Sequence, residues 1–562
     1  MRTIYIKPLF TTLQKTLCLF SITAITVLYS GCGVPPVDGP VVETLYGPVK
    51  SYEDKAETWV WKGIPFAKPP VGSLRWKAPQ DPDSWEEVRD RTRFCPPCSQ
   101  FMMVNMGSED CLYLNIWRPQ TDKQGLPVYF WIHGGGNSLG TATSGDYNGA
   151  NLADKANMVV VTTSYRLGPM GWFSYPALRS GLEGDELDDS GNYGTLDLIK
   201  SLTWVKNNID AFGGDPDNVT IAGESAGGIN VLSLLISPSA EGLFHRAVSQ
   251  SGYTTTSTVE EGDTSVREVI LTLLINDRTA GDISEAEAYL ESMTDEAVAT
   301  YLRSKSAFQI IGAYEKSYMG MLTLPYLFTD GTVIPGSGFD SFGEGTYPNK
   351  VPLITGSNKE EVKLFLYSDP YFTGKDELYQ IVASFASDGF KISGVDTVAR
   401  RLTLNDDQPP VFAYQFLWGA GGDTGESVIP DPWGFKLGSF HTLEIPFFFG
   451  NDVLNVGMQF LVFTKKNRSG REALSEAMMT YLAQFARTGN PNPPGALLPE
   501  WQPWSNEGGA PKIILLDVDE NHALDIEMST EELTQAGIEE KLLEVPEPLY
   551  SEVMDYLSSM SF

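Results

Sequence analysis

Histidine is scarce in this chain, with four among 562 residues, and cysteine is nearly as scarce with five. The one close cysteine pair, Cys95 and Cys98, has no second pair or nearby histidine to complete a zinc site, so metal chemistry is not expected. Positive charge is also in deficit: 40 Lys and Arg stand against 72 Asp and Glu, a formal net charge of −32. So acidic a chain offers no basic face to nucleic acid or anionic lipid, and neither is expected as a partner held that way. Internal repeats, heptad runs and low-complexity tracts are lacking, which excludes solenoids and coiled coils. Beyond one segment near the amino terminus, no apolar run suits a bilayer span. Core-forming material is plentiful: 42% hydrophobic and 11% aromatic residues exclude overall disorder and support a large buried interior. Length alone allows two to four domains or one enlarged α/β enzyme.

The exceptional segment is Leu17–Tyr29, preceded by Arg2, Lys7 and Lys15 and too short for a comfortable span. It ends in Ser30-Gly31-Cys32, small residues before a cysteine, and so resembles a bacterial lipoprotein signal in which Cys32 would carry the lipid. Residues 1–32 are therefore expected to be a signal peptide, with plain secretion as the alternative. Residues 33–40, rich in Gly and Pro, read as a tether. Residues 41–562 read as one large domain carrying insertions. Export makes a structural disulfide the expected use of the remaining cysteines, Cys95, Cys98 and Cys111.

Apolar strands alternate with amphipathic helices along the domain. Leu126–Ile132, Met158–Ser164 and Val219–Ala222 are strand-like, and Val351–Gly356 and Val411–Leu417 return to the same pattern. Between them, Leu196, Ile199, Leu202, Val205 and Ile209 recur at helical spacing. The order predicts an α/β fold with a mostly parallel sheet covered on both faces. Residues 254–347 are more charged and largely helical, an excursion expected over the sheet's carboxyl edge, where ligands bind in such folds.

The stretch most informative about chemistry is Val219–Ile236. An apolar strand runs into Gly223-Glu224-Ser225-Ala226-Gly227, and Ile229, Leu232, Leu235 and Ile236 then recur as one face of a helix. Strand, glycine-flanked turn and helix form the context in which G-x-S-x-G presents a serine nucleophile, here Ser225. Such a serine needs a general base. His133 heads a glycine run, and His245 reads as packed beside the sheet. Only His441 and His522 leave room for a returning strand and an acid after the serine.

At this point a resemblance adds to the residues. The motifs GIPFAKPPVGSLRW, SEDCLYLNIW, HGGG, GNYGTLDL, WVKNNIDAFGGDPDNVTIAGESAGG, LFHRAVSQSG and GSFHTLEIPFFFG run in order from Gly63 to Gly450. In this the chain resembles the type-B carboxylesterases, the cholinesterase-like α/β-hydrolases. The resemblance implies the α/β-hydrolase fold and a Ser-His-Glu triad of Ser225, His441 and Glu361, without metal or cofactor. It implies an oxyanion hole from the amides of Gly135, Gly136 and Ala226, with Ser251 supporting the acid from behind. It pairs Cys98 with Cys111 and leaves Cys95 free. Arg75 with Glu109 and Arg166 with Asp197 match scaffold ion pairs. The chain departs from the family at Asn137 after HGGG, at Val362 after the acid and at Phe101, which stands where cholinesterases carry tryptophan. Trp418, Trp433 and Tyr371 are candidates to line the gorge.

The expectation is an exported serine carboxylesterase acting on small-molecule esters through an acyl-enzyme. A lipase or carbamate hydrolase on the same scaffold is the alternative within enzymes, and a neuroligin-like adhesion protein the alternative outside them.

Overall fold

The runs poorest in polar residues, Leu126–Ile132 and Val159–Thr163, are buried along their whole length, as strands covered on both faces must be. They lie at the centre of the fold in a computed structural model that describes residues 37–317, 320–421, 427–454 and 457–560. The expected signal peptide, residues 1–32 with Cys32, lies outside the described residues.

In chain order the strands are β1 (Asp38–Thr44), β2 (Gly47–Asp54), β3 (Thr58–Pro65), β4 (Arg89–Asp90), β5 (Gln100–Met102), β6 (Val104–Met106), β7 (Tyr113–Pro119) and β8 (Leu126–Ile132). They continue as β9 (Val159–Thr163), β10 (Gly214–Glu224), β11 (Arg246–Gln250), β12 (Leu353–Asn358), β13 (Val411–Phe416), β14 (Ile513–Val518) and β15 (Leu524–Ser529). Their order in the main sheet is β1-β2-β3-β7-β9-β8-β10-β11-β12-β13-β14-β15, with β4 beside β2. From β9 through β14 every pairing is parallel. The edges differ: β1, β2, β3, β7 and β9 meet antiparallel, as do β14 and β15. Short turns join β1 to β2, β2 to β3 and β14 to β15, whereas each parallel pair needs a crossover.

Strand periodicity divides the core. Val128, Phe130 and Ile132 of β8 point into one hydrophobic cluster, and Tyr129 and Trp131 into the other. Helices α1 (Tyr193–Asn208) and α2 (Ala226–Ile236) fill the first, through Leu196, Leu202, Leu232 and Leu235. Helix α3 (Arg468–Thr488) fills the second with Leu474, Met478, Leu482 and Phe485. This is the α/β-hydrolase arrangement, with helices on both faces of a mostly parallel sheet.

The excursion is helical as read: Val259–Asn276, Ile283–Glu291, Asp295–Ser304 and Ala307–Gly312 follow one another. Each begins at a side chain, Thr258, Asp282, Thr294 or Ser306, that accepts an amide of the first turn.

The tether is shorter than its composition implies. Asp38 is already in β1, opposite Tyr52, and pairs with Lys50 at 2.6 Å. Gly39 and Pro40 fall where the β1–β2 register shifts, so their turn-like chemistry marks a bulge in a strand. Residues 38–562 form one compact unit. No helix among the described residues is long and apolar enough to cross a membrane.

Candidate active site

Ser225 stands between β10 and α2 with φ 57° and ψ −124°, a conformation costly for a non-glycine residue. Its glycine neighbours explain how the turn closes. A Cβ on Gly223 would strike the backbone of Gly227, and one on Gly227 would strike the carbonyl of Ile132. Strand and helix therefore approach more closely than side chains permit. The Ser225 amide donates to Gln250 O at 2.9 Å, tying the elbow to β11.

The glycine run after β8 packs against the same serine. A Cβ built on Gly134 would lie 2.9 Å from Ser225 Cβ. Gly135 and Gly136 have φ of 108° and 60°, and Asn137 follows in the left-handed region at 51°. Asn is among the few side chains at home there. Its Oδ1 accepts from Asn230 Nδ2 of α2 at 2.9 Å, so this departure from the family pattern pins the loop to the helix that follows the nucleophile. Ala226, the third expected oxyanion donor, is the first residue of α2, whose amino terminus favours negative charge.

Glu361 follows β12 and is wholly buried. Oε1 accepts from Ser251 Oγ at 2.6 Å and from Asn358 N at 2.7 Å, and Oε2 lies 2.6 Å from His441 Nδ1. Ser251 follows β11 and Asn358 ends β12, so the carboxyl ends of two neighbouring strands place the donors. Glu360 is turned away. It pairs with Lys363 at 2.6 Å and accepts from Ser439 N at 3.0 Å, bracing the loop that carries His441.

His441 is buried, its ring packed near Phe365 and Phe390 at centroid distances of 5.3 and 5.9 Å. Nε2 lies 3.1 Å from Glu224 Oε1. Glu224 immediately precedes Ser225, so the imidazole faces the elbow on that side and Glu361 on the other. Burial, then the neighbouring carboxylates Glu361 and Asp146, push Glu224 well above the usual carboxylate range, which favours its protonated form. Burial, Glu224 and Glu361 do the same to Glu444, although Asn358 Nδ2 donates to it at 2.6 Å.

Sequence reading did not single out Glu224, Glu444 or Asn358. Glu224 had one available signal, a charge at the end of an apolar strand beside the candidate nucleophile. The other histidines are elsewhere. His133 is buried against Tyr165, and burial lowers it to about 4. Nδ1 of His245 accepts from Val219 N at 3.1 Å, and His522 sits in the β14–β15 turn.

Cys98 and Cys111 form a disulfide, and Cys95 is a free thiol that burial pushes up to about 11. Arg75 pairs with Glu109 and Arg166 with Asp197 in the scaffold. Val362 is buried beside helix Asp376–Lys391, its amide donating to Ser387 Oγ. Among the gorge candidates, Trp418 belongs to the core cluster, Trp433 packs against that cluster, and Tyr371 is exposed beside Tyr556. Among the described residues, no three His, Cys, Asp or Glu side chains are grouped as a metal site would group them.

Known proteins resemble this chain over most of its length. The profile described as the Carboxylesterase family matches residues 38–378 and 372–533. The para-nitrobenzyl esterase of Bacillus subtilis (strain 168) is 32% identical over 472 residues, covering 80% of this chain and 90% of that protein. Carboxylesterase 1D of Rattus norvegicus is 33% identical over 552 residues, covering 85% and 90%. Among solved structures, a PNB esterase aligns with a TM-score of 0.68 and 30% identity, covering 89% of this chain and 99% of that one.

Proposed function

The chain belongs to the carboxylesterase family and is a carboxylic-ester hydrolase, and from that premise we propose that it works through a Ser225–His441–Glu361 triad and an acyl-enzyme. The observation that carries the proposal is the 2.6 Å contact of Glu361 with His441 Nδ1, on a ring whose other nitrogen faces the strand end beside Ser225. A proton on Nδ1 leaves Nε2 as the accepting nitrogen of the ring, which is what a base toward serine requires.

In the forward step Ser225 Oγ attacks the ester carbonyl and gives its proton to Nε2. The carbonyl π electrons move to oxygen, and the amides of Gly135, Gly136 and Ala226 stabilise that oxyanion. Collapse expels the alcohol, which takes the proton from the imidazolium and leaves an acyl ester on Ser225. Water then repeats the sequence: His441 removes its proton, the carboxylic acid departs, and Ser225 regains its hydrogen. Glu361 faces Nδ1 throughout and partners the transient positive charge. Ser225→Ala should lower kcat on a simple ester by roughly 10⁶-fold without unfolding the protein, because the hydroxyl contributes to chemistry and not to packing. Wild-type turnover in that variant would overturn the triad.

We further propose that the enzyme is exported and lipidated at Cys32, on the evidence of Ser30-Gly31-Cys32 after a short apolar run. The amino-terminal peptide of membrane-fraction enzyme should then carry a diacylglyceryl mass on Cys32. A soluble mature chain beginning elsewhere would leave plain secretion.

A further inference from the structure

Helix Asp376–Lys391 runs into Ile392-Ser393-Gly394-Val395-Asp396, where a glycine between β-branched residues weakens regular α-helical bonding. Those five residues form one π turn, which leads into helix Thr397–Leu402. A π turn closes with bonds between residues five apart and is frequent at functional sites. Here an ion pair spans it. Lys391 Nζ donates to the two oxygens of Asp396 at 3.0 and 2.7 Å, and Asp396 Oδ2 also accepts from Leu533 N at 2.7 Å. In an α-helix, at roughly 100° per residue, side chains five apart point about 140° away from each other. The π turn brings them together, so the turn and the ion pair hold each other in place.

Both side chains are buried, 1% and 0% exposed. Burying opposite charges carries a desolvation penalty, and a well-packed apolar pair of similar volume would usually stabilise a helix as well. What the charges add is one permitted geometry, and that geometry reaches the triad by three contacts. Inside the turn, Gly394 O accepts from Thr355 Oγ1 of β12 at 2.8 Å, and a Cβ on Gly394 would strike the carbonyl of Gly252. Gly252 follows Ser251, whose hydroxyl donates to Glu361. Just before the turn, the Phe390 ring lies 5.9 Å from that of His441. One helical turn earlier, Ser387 Oγ accepts from the amide of Val362, the residue after Glu361, at 3.1 Å. The base, and the residues next to the acid and to its supporting serine, thus all pack on residues 387–394.

We propose that Lys391 and Asp396 are positioning residues for the reaction: their ion pair locks the π turn, and the locked turn fixes how Ser251, Glu361 and His441 meet. This rests on the Ser225–His441–Glu361 reading and adds to it a pair that touches neither substrate nor the reacting atoms. A remote change that misplaces a reacting group by about 1 Å costs on the order of a hundredfold in rate. Substrate binding does not depend on the tilt of the imidazole, so the effect belongs in kcat rather than KM.

The test uses the full chain and p-nitrophenyl acetate. Lys391→Met with Asp396→Asn removes both charges and keeps an acceptor for Leu533 N. Its kcat should fall about tenfold or more with KM within about twofold, the pattern of an interaction that matters only in the transition state. Thr355→Val leaves the ion pair and takes away the β12 bond to Gly394 O. This milder variant should lose about threefold or more in kcat, and it decides the question if the double variant does not fold. Two controls represent a merely structural role. Arg400→Gln breaks the partly exposed pair with Glu532, next to Leu533, and Leu474→Ala opens a cavity in the other hydrophobic cluster. Below their melting temperatures both should keep kcat within about twofold of wild type. Labelling with diethyl p-nitrophenyl phosphate keeps the two readings apart. Label away from Ser225 in wild type defeats the triad itself. Label on Ser225 at the wild-type rate in the double variant, with kcat unchanged, defeats the clamp alone. A loss confined to KM, equal kcat losses in the two controls, or, where the double variant does not fold, unchanged kcat in Thr355→Val would also overturn it.

Discussion

The two sides of the His441 ring differ more than their matching residue types imply. On the Nδ1 side, Glu361 accepts from Ser251 and Asn358 as well as facing the ring. On the Nε2 side, Glu224 Oε1 has no hydrogen-bond donor, although the ring nitrogen is 3.1 Å away. Both carboxyl groups are buried, so burial alone does not distinguish them. Donors do. A carboxylate accepting several N–H and O–H groups is held as an anion in one orientation, whereas a buried carboxyl without them and beside other carboxylates retains its proton. The imidazole thus has one fixed negative partner, on its Nδ1 side.

The sharpest way to break this comparison is to neutralise each side in turn. Glu361→Gln should lower kcat by roughly 10⁴-fold, the loss found when the orienting acid of another triad is made an amide. Glu224→Gln replaces a protonated carboxyl by a group of the same shape and should cost about tenfold or less. Kinetics of both variants on one activated ester check this, and equal losses would mean that both carboxylates partner the charge. Glu360→Gln should also stay within about tenfold, because it weakens a brace to Lys363 and Ser439 rather than a contact to the ring; a loss matching Glu361→Gln would exchange their roles.

A smaller effect, on stability, sharpens the same contrast. The Glu224 carboxyl is raised in the folded protein, so its contribution is fully present below the ordinary glutamate range and is lost as pH rises toward the folded value. Glu224→Gln does not titrate. Denaturation across pH should show this variant gaining on wild type as pH rises, and a gap independent of pH would contradict a protonated Glu224.

What could be read from the sequence follows how local each feature is. Ser225 was legible because its chemistry lies inside one strand, turn and helix. The β8, β9, β12 and β13 strands announced themselves as apolar runs. Arg246–Gln250 did not, since a basic residue and two polar ones break its pattern, yet it is the strand that places Ser251. Glu361 emerged from its identical neighbour only by family resemblance; the structure separates them by the direction each turns. Glu224 offered only a charge at the end of an apolar strand, and nothing in sequence periodicity shows that this carboxyl will be enclosed with Glu361 and Glu444. Gly39 and Pro40 misled in the opposite sense, since a bulge and a tether use the same residues.

The proposed mechanism requires that the reactive group be Ser225 and no other serine. Its most direct measurement is stoichiometric inactivation with diethyl p-nitrophenyl phosphate, followed by peptide mass mapping. The account predicts one diethylphosphoryl group per chain, on Ser225, with activity falling in proportion to its occupancy. Inactivation with the label on another residue, or full activity with Ser225 labelled, would contradict it.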